Sequence, residues 1–225
     1  GLPGPLPSSA TRAATNSKFR EGVFGIATQR MLPPAKLTSL DCTSSRLADS
    51  YALKRVFDRC PNLATLSLGS PPQPLHPAVL QSMLASSSVT QHLQELTLNQ
   101  CPQVTNAVLV QIAKSCRNLR LLHVNMCEGL TDEGFHEAVP YLGELESLGV
   151  SALPVNDAVL RLIGESCPKL HTLWLAFCYL LSNDALVQFA SKCRSLRHLN
   201  LCMIEHLTDE VLIAFVKECD IQEVN

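Results

Sequence analysis

Leucine recurs through this chain with a fixed stride. One set stands at Leu37, Leu63, Leu93, Leu119, Leu145, Leu170 and Leu196, with gaps of 26, 30, 26, 26, 25 and 26 residues. A second set follows each of these by three residues, at Leu40, Leu66, Leu96, Leu122, Leu148, Leu173 and Leu199, and a broken eighth start appears at Ile221 and Val224. Self-similarity at a period of roughly 20–50 residues means a stack of one supersecondary unit, not a globule with a single centre. Each unit buries its apolar face only against its neighbours, so the 225 residues are expected as one elongated body.

Within the stride, Cys116–Cys127 reads CRNLRLLHVNMC. Leu119, Leu122 and Val124 follow the spacing L-x-x-L-x-L, and Cys127 falls where the pattern L-x-x-L-x-L-x-x-N/C-x-L takes Asn or Cys. Side chains alternate along a strand, so the L-x-L pair points into the core and its neighbours point out. Cys127 sits where the chain bends out of the strand and a small buried side chain meets turning backbone. Return arms follow: Leu109, Ile112, Ala113 and Cys116 after Val104-Thr105-Asn106; Leu186, Phe189, Ala190 and Cys193 after Leu181-Ser182-Asn183-Asp184; Leu212, Phe215, Val216 and Cys219 after Leu207-Thr208-Asp209-Glu210. Apolar residues three and four apart make each arm a helix. Thr, Ser, Asn and Asp at the starts read as N-caps, and the acidic ones favour the positive end of the helix dipole. The expected fold is α/β, a right-handed leucine-rich-repeat solenoid or horseshoe over residues 37–225, with about seven repeats of ~26 residues. A parallel sheet lines its concave face and helices its convex face.

Residues 1–36 are different material. GLPGPLPSSATRAATNS cannot bury enough apolar surface to fold alone, and the segment is expected to be disordered or to cap the solenoid. Phe19, Val23, Phe24 and Ile26 would lay an apolar edge over the first repeat, and Pro33 and Pro34 mark the boundary. Gly1–Pro5 does not sustain a Gly-X-Y period, which excludes collagen. Pro71-Pro72-Gln73-Pro74 and Ser86-Ser87-Ser88 lengthen the second repeat and are expected as loops. Pro140 is expected to end or kink the helix that carries Phe135. The first residue is Gly, so the chain is expected to be processed or a fragment of a longer product.

Ten cysteines would mark a disulfide framework in a small secreted protein. The repeat accounts for nine of them otherwise. Cys60, Cys116, Cys167, Cys193 and Cys219 end helices, Cys101, Cys127 and Cys178 occupy the bend, and Cys42 falls on an inward strand position. Only Cys202 has no buried role. Thiols used as small buried hydrophobes suit a reducing compartment, so the expected location is cytoplasm or nucleus. A formal charge of −2 and a pI near 6.4 give no reason to expect nucleic acid or an anionic membrane as partner. No run of 18 apolar residues and no charged-then-apolar leader is present.

The repeats carry a more specific pattern, C-x-x-L-x-x-L-x-L-x-x-C-x-x-[IL]-[TS]-[DN]-x-x-[LF]-x-x-[IV]-A. CPKLHTLWLAFCYLLSNDALVQFASKC, Cys167–Cys193, follows it with Phe189 in the penultimate apolar slot. Cys116–Asp132 and Leu196–Cys219 follow it with small departures, Ile204 replacing the bend cysteine. This resembles the cysteine-containing repeat domain of F-box/leucine-rich-repeat proteins, the substrate receptors of Skp–Cullin–F-box ubiquitin ligases. The resemblance covers about Leu37–Asn225. It implies a horseshoe that holds a protein substrate while an N-terminal F-box docks on a Skp adaptor. Gly1–Pro34 is too short and too poor in apolar residues to be that F-box, so a Skp adaptor is implied only if an F-box precedes this chain.

Outward strand positions would form the binding face. The middle column reads Asp41, Ser67, Thr97, His123, Gly149, Trp174, Asn200; the column after it reads Thr43, Gly69, Asn99, Asn125, Ser151, Ala176, Cys202. Trp174 is the only Trp and is expected to be exposed, with His123, Asn125, His198 and Asn200 around it and Met126 and Phe177 at the rim. Exposed Trp flanked by polar residues is the make-up of an interface anchor; the alternative is a Trp folded over neighbouring side chains with no ligand. No nucleophile elbow, Walker loop, H-E-x-x-H, G-x-G-x-x-G or C-x₂-C occurs, so no catalytic residue, cofactor or metal site is expected. The function expected is a non-catalytic, monomeric protein-binding module, the substrate-recognition part of an SCF-type ligase. The alternative is a binding or scaffold protein outside ubiquitination.

Overall fold

The structure, a computed structural model, describes residues 36–43, 50–69 and 76–225. The expectations for 1–35, including the cap formed by Phe19 to Ile26, and for Pro71–Pro74 lie outside the described residues. Each L-x-L pair yields a strand three residues long. These are β1 (Ser39–Asp41), β2 (Thr65–Ser67), β3 (Glu95–Thr97), β4 (Leu121–His123), β5 (Ser147–Gly149), β6 (Thr172–Trp174) and β7 (His198–Asn200), with β8 (Glu223–Val224) at the broken eighth start. They make one parallel sheet in sequence order. The second leucine set is its register, Leu40 beside Leu66, then Leu96, Leu122, Leu148, Leu173, Leu199 and Val224.

Helices return the chain between strands: α1 (Ser50–Arg59), α2 (Pro77–Ala85), α3 (Ser87–His92), α4 (Asn106–Ser115), α5 (Asp132–Ala138), α6 (Asp157–Ser166), α7 (Asn183–Lys192) and α8 (Asp209–Glu218). The sheet stays open, and the chain winds as the right-handed α/β solenoid. Its core is a column of leucines roofed by helix residues such as Phe57, Phe135, Phe189 and Phe215, all essentially inaccessible to water.

Five bends among the described residues share one backbone conformation. Gln100, Met126, Ala152, Phe177 and Met203 adopt φ between 55° and 61° although none is glycine. Each immediately precedes a buried bend residue, Cys101, Cys127, Leu153, Cys178 or Ile204. The N–H groups of the first four donate to carbonyls of the next repeat: Gln100 to Asn125 at 2.8 Å, Met126 to Ser151 at 2.9 Å, Ala152 to Ala176 at 2.7 Å and Phe177 to Cys202 at 2.9 Å. The bend thiols reach the other way, Cys127 to the Leu98 carbonyl at 3.0 Å and Cys178 to the Val150 carbonyl at 3.4 Å.

Three expectations are corrected. First, Ser86-Ser87-Ser88 is not a loop. Ser86 joins α2 to α3, whose first two residues are Ser87 and Ser88, and Thr90 back-bonds to the Ser86 and Ser87 carbonyls. Second, of the Thr, Ser and Asn N-caps, Asn156 and Ser182 accept from their own helix, at Val159 and Ala185, as His76 does for α2 at Ala78. Thr105, Thr131 and Thr208 do not. Instead, the first helical residue bonds to the neighbouring repeat's cap. Asn106 accepts from the Thr131 N–H (2.9 Å) and donates to its hydroxyl (2.7 Å); Asp157 accepts both Ser182 N–H and hydroxyl; Asn183 accepts from Thr208. Third, Leu212 and Val216 of α8 are exposed, at 41% and 69%, because among the described residues α8 packs on α7 alone. Pro140 does end its helix, and Val139–Tyr141 continues as one 3₁₀ turn.

No disulfide joins any of the ten cysteines, and Cys202 alone is exposed. Burial pushes the thiols of Cys101, Cys116, Cys167 and Cys193 up to about 12 and those of Cys127, Cys178 and Cys219 to about 11, from an ordinary value of 9.0. Unfolding returns them to ordinary acidity, so the folded state keeps protons that the unfolded state releases above pH 9. Their contribution to stability is intact below pH 9 and is lost as pH rises towards 11–12. A thiol reagent applied to the native protein at pH 8 should label Cys202 quickly and the other cysteines only on unfolding. Fast labelling of the bend cysteines in the folded protein would contradict their burial.

Candidate protein-binding face

The register sets His123, Gly149, Trp174 and Asn200 side by side on β4 to β7. His123 and Trp174 stand two strands apart, a span of roughly 9.5 Å at the usual strand spacing. Their ring centroids are nonetheless 4.3 Å apart, with planes tilted by 33°. Gly149 between them makes that possible. A Cβ there would come within 2.9 Å of the His123 ring and 2.8 Å of the Asn125 amide, so a larger residue would wedge the pair open.

The covered ring is dry. His123 is 8% exposed, and its Nε2 lies 2.9 Å from the Ser147 hydroxyl. Burial lowers its pKa from 6.5 to about 4, so the imidazole is neutral at pH 7. Beside it runs an amide chain along the column after the strands. Asn99 Oδ1 accepts from the Asn125 backbone N–H (3.0 Å) and side-chain amide (2.9 Å), and Asn125 Oδ1 accepts from the Ser151 N–H (2.7 Å). These bonds satisfy edge amides between repeats and fix the floor of the face.

The sequence expectation puts Trp174, His123 and Asn125 in solvent. The structure instead leaves Trp174 partly buried against His123, and His123 and Asn125 are both buried. The outward direction is as expected, and the inclination over Gly149 on to His123 matches the alternative of a Trp folded over neighbouring side chains. His198 and Asn200 are partly buried next to Trp174. His198 Nδ1 lies 3.5 Å from a Glu223 carboxylate, and Asn200 Oδ1 accepts from the Cys202 N–H at 3.0 Å. Met126 and Phe177 are exposed at the rim, at 49% and 41%. Sequence reasoning overlooked Met203, Tyr179 and Leu180, exposed at 61%, 58% and 60%. Met203 was within reach, since it stands one repeat after Phe177 in the same column. Among the described residues no three His, Cys, Asp or Glu side chains gather where a metal ion could be held.

Comparison with known proteins fits this geometry. Residues 80–218, more than half the chain, match the family described as FBD-associated F-box protein At5g56370, LRR repeats. The chain belongs to the leucine-rich-repeat family of F-box proteins. This F-box-type repeat domain is similar to F-box protein SKIP1 of Arabidopsis thaliana, 28% identical over 170 residues that cover 68% of the chain and 55% of that relative. It is also similar to Putative F-box/LRR-repeat protein 23 of Arabidopsis thaliana, 37% identical over 121 residues, 51% of the chain and 27% of that relative. The chain therefore spans about half the length of these curated relatives or less.

Among solved structures, an internalin of Listeria monocytogenes aligns over 85% of the chain and 49% of its own length, with TM-score 0.57 and 18% identity. The yeast Rad7 and Elc1 complex aligns over 85% of the chain and 63% of the matched chain, with TM-score 0.51 and 17% identity. These two show the fold alone. Repeat domains of this family are non-catalytic protein-interaction modules, and this chain is one.

The stack on Gly149 has a measurable consequence. His123 contributes its full stability above pH 6.5 and loses it as pH falls towards 4. Trp174→Ala uncovers the ring. The expected outcome is a His123 pKa raised from about 4 towards 6.5, read by NMR titration of the ring protons. Stability should fall by about 1 kcal/mol, the scale of a lost aromatic pair. An unmoved pKa would show that the strand, not the indole, keeps water away.

Proposed function

We propose that this chain is the substrate-recognition part of an SCF-type ubiquitin ligase and that its concave sheet holds a protein substrate. The observation that carries the reading is the Trp174 face. A large aromatic, stiffened by its stack on His123 and flanked by Asn200 and His198, stands on an otherwise small and polar sheet. Trp in a preorganised setting is the usual centre of a binding hot spot, because little conformational freedom remains to be lost. Met126 and Phe177 extend the face to the rim, and Asn125 holds its floor. The ligase role is supported by family membership and by relatives whose names say F-box protein. In this reading the Skp adaptor is bound by an F-box elsewhere in the gene product. The domain acts as a monomer, without nucleic acid, membrane or cofactor. Buried thiols with no disulfide suit the cytoplasm or nucleus.

The test is co-purification of the full-length gene product from its own cells. A Skp-type adaptor and a cullin should come with it. The substrate should be lost on Trp174→Ala, by about 2 kcal/mol of binding or more, while adaptor and cullin stay. Substrate without adaptor or cullin would instead favour a scaffold outside ubiquitination.

A further inference from the structure

The rim beyond the sheet carries an apolar ridge that runs past the part the concave face uses. Met126, Ala152, Phe177 and Met203 lie at successive bends, all exposed and all in the left-handed region. Glycine or asparagine takes that conformation at little cost, whereas a larger side chain is strained there. Three of these four positions hold Met or Phe, so strain and apolar exposure coincide. Phe177 and Tyr179 meet edge to face at 6.3 Å, and Leu180 adds a further exposed apolar side chain. Scattered exposed apolar residues need no explanation, but a contiguous row does.

The spacing and the backbone narrow what can lie on this row. Ridge residues recur once per strand, roughly every 4.8 Å. That is close to the rise of one helical turn, about 5.4 Å. An added strand would need free backbone donors along the edge. The N–H groups of Gln100, Met126, Ala152 and Phe177 are already bound by the next repeat. Side chains, then, are what the ridge offers. Its charge is one-sided as well. Glu128 and Glu205 are exposed beside it without an ion pair among the described residues, and no Lys or Arg occurs in 99–104, 125–130, 151–155, 176–181 or 202–207.

We infer that the rim from Met126 to Met203 is a docking ridge for an amphipathic helix of a protein partner, apolar on the side facing the ridge and basic along its flanks. One apolar side chain per helical turn seats against each repeat, with Ala152 leaving room for the largest. Lys or Arg on the flanks meets Glu128 and Glu205. This rests on the protein-binding reading above and assigns the rim, which adjoins the Trp174 face at Met126 and Phe177, its own ligand chemistry.

Two displayed libraries of peptides about 16 residues long test it on this chain, each rich in Leu, Met, Phe, Lys and Arg. One spaces its apolar residues three and four apart, and the other alternates them. The helical library should enrich and the alternating one should not. Selected peptides should bind the Phe177→Asn, Met203→Asn double variant at least tenfold more weakly, and less tightly as salt rises. Because Asn suits the left-handed backbone, that variant should melt no lower than the parent, which separates lost binding from lost folding. Enrichment of the alternating library, or of neither, overturns the proposal. So does binding indifferent to the double variant. Binding abolished by Trp174→Ala alone would move the peptide to the concave sheet, overturning the ridge while the protein-binding reading stands. A missing adaptor in the co-purification leaves the ridge result untouched.

Discussion

The N–H groups of Gln100, Met126, Ala152 and Phe177, four of the five left-handed bend residues, are each held by a carbonyl of the following repeat, and the rest of the solenoid depends on those bonds. A three-residue strand with one helix buries too little to stand alone, so each repeat needs its neighbour to exist. The bend that turns the chain out of the sheet is strained at Gln100, Met126, Ala152 and Phe177, and the next repeat holds all four N–H groups. At Met126 and Phe177 a turn bond within the repeat, from Cys127 N–H to the Val124 carbonyl and from Cys178 N–H to the Leu175 carbonyl, adds to that support. The same logic governs the amide chain from Asn99 to Ser151 and the pairing of Asn106 with Thr131. Geometry in one repeat is set by the next. A face built this way presents side chains at fixed intervals, which is what a recognition surface requires.

Much of this was legible in the sequence for a simple reason. Burial repeats with the chain, so the leucine ladder gave strands, register and the eighth start at Val224 directly. Pro140 lacks an N–H and ended its helix as it must. The cysteines fell where small buried side chains are needed, and Cys202, which had no such place, is the exposed one.

What escaped the sequence lies between repeats. Alternation along a strand says whether Trp174 points in or out, but not that Gly149 lets it lean on to His123. Capping rules are written for a single helix. Here the first helical residue sits beside the next repeat's cap, so Asn106 and Asp157 serve a neighbour. The left-handed bends escaped for a different reason: their usual signal is Gly or Asn, and this chain puts Met and Phe there. That mismatch between residue and conformation marks the rim as a place where something other than folding shaped the choice.

Native-state hydrogen exchange tests the central claim, that neighbouring repeats hold one another through the bends. The amides to follow are those of Gln100, Met126, Ala152 and Phe177, which sit in exposed turns yet donate to the next repeat. Protection comparable to that of the interior amides of α4, α6 and α7 is the result the account predicts. Exchange at the rate of an open loop, with the helices still protected, would contradict it and show that each repeat keeps its shape without its neighbour.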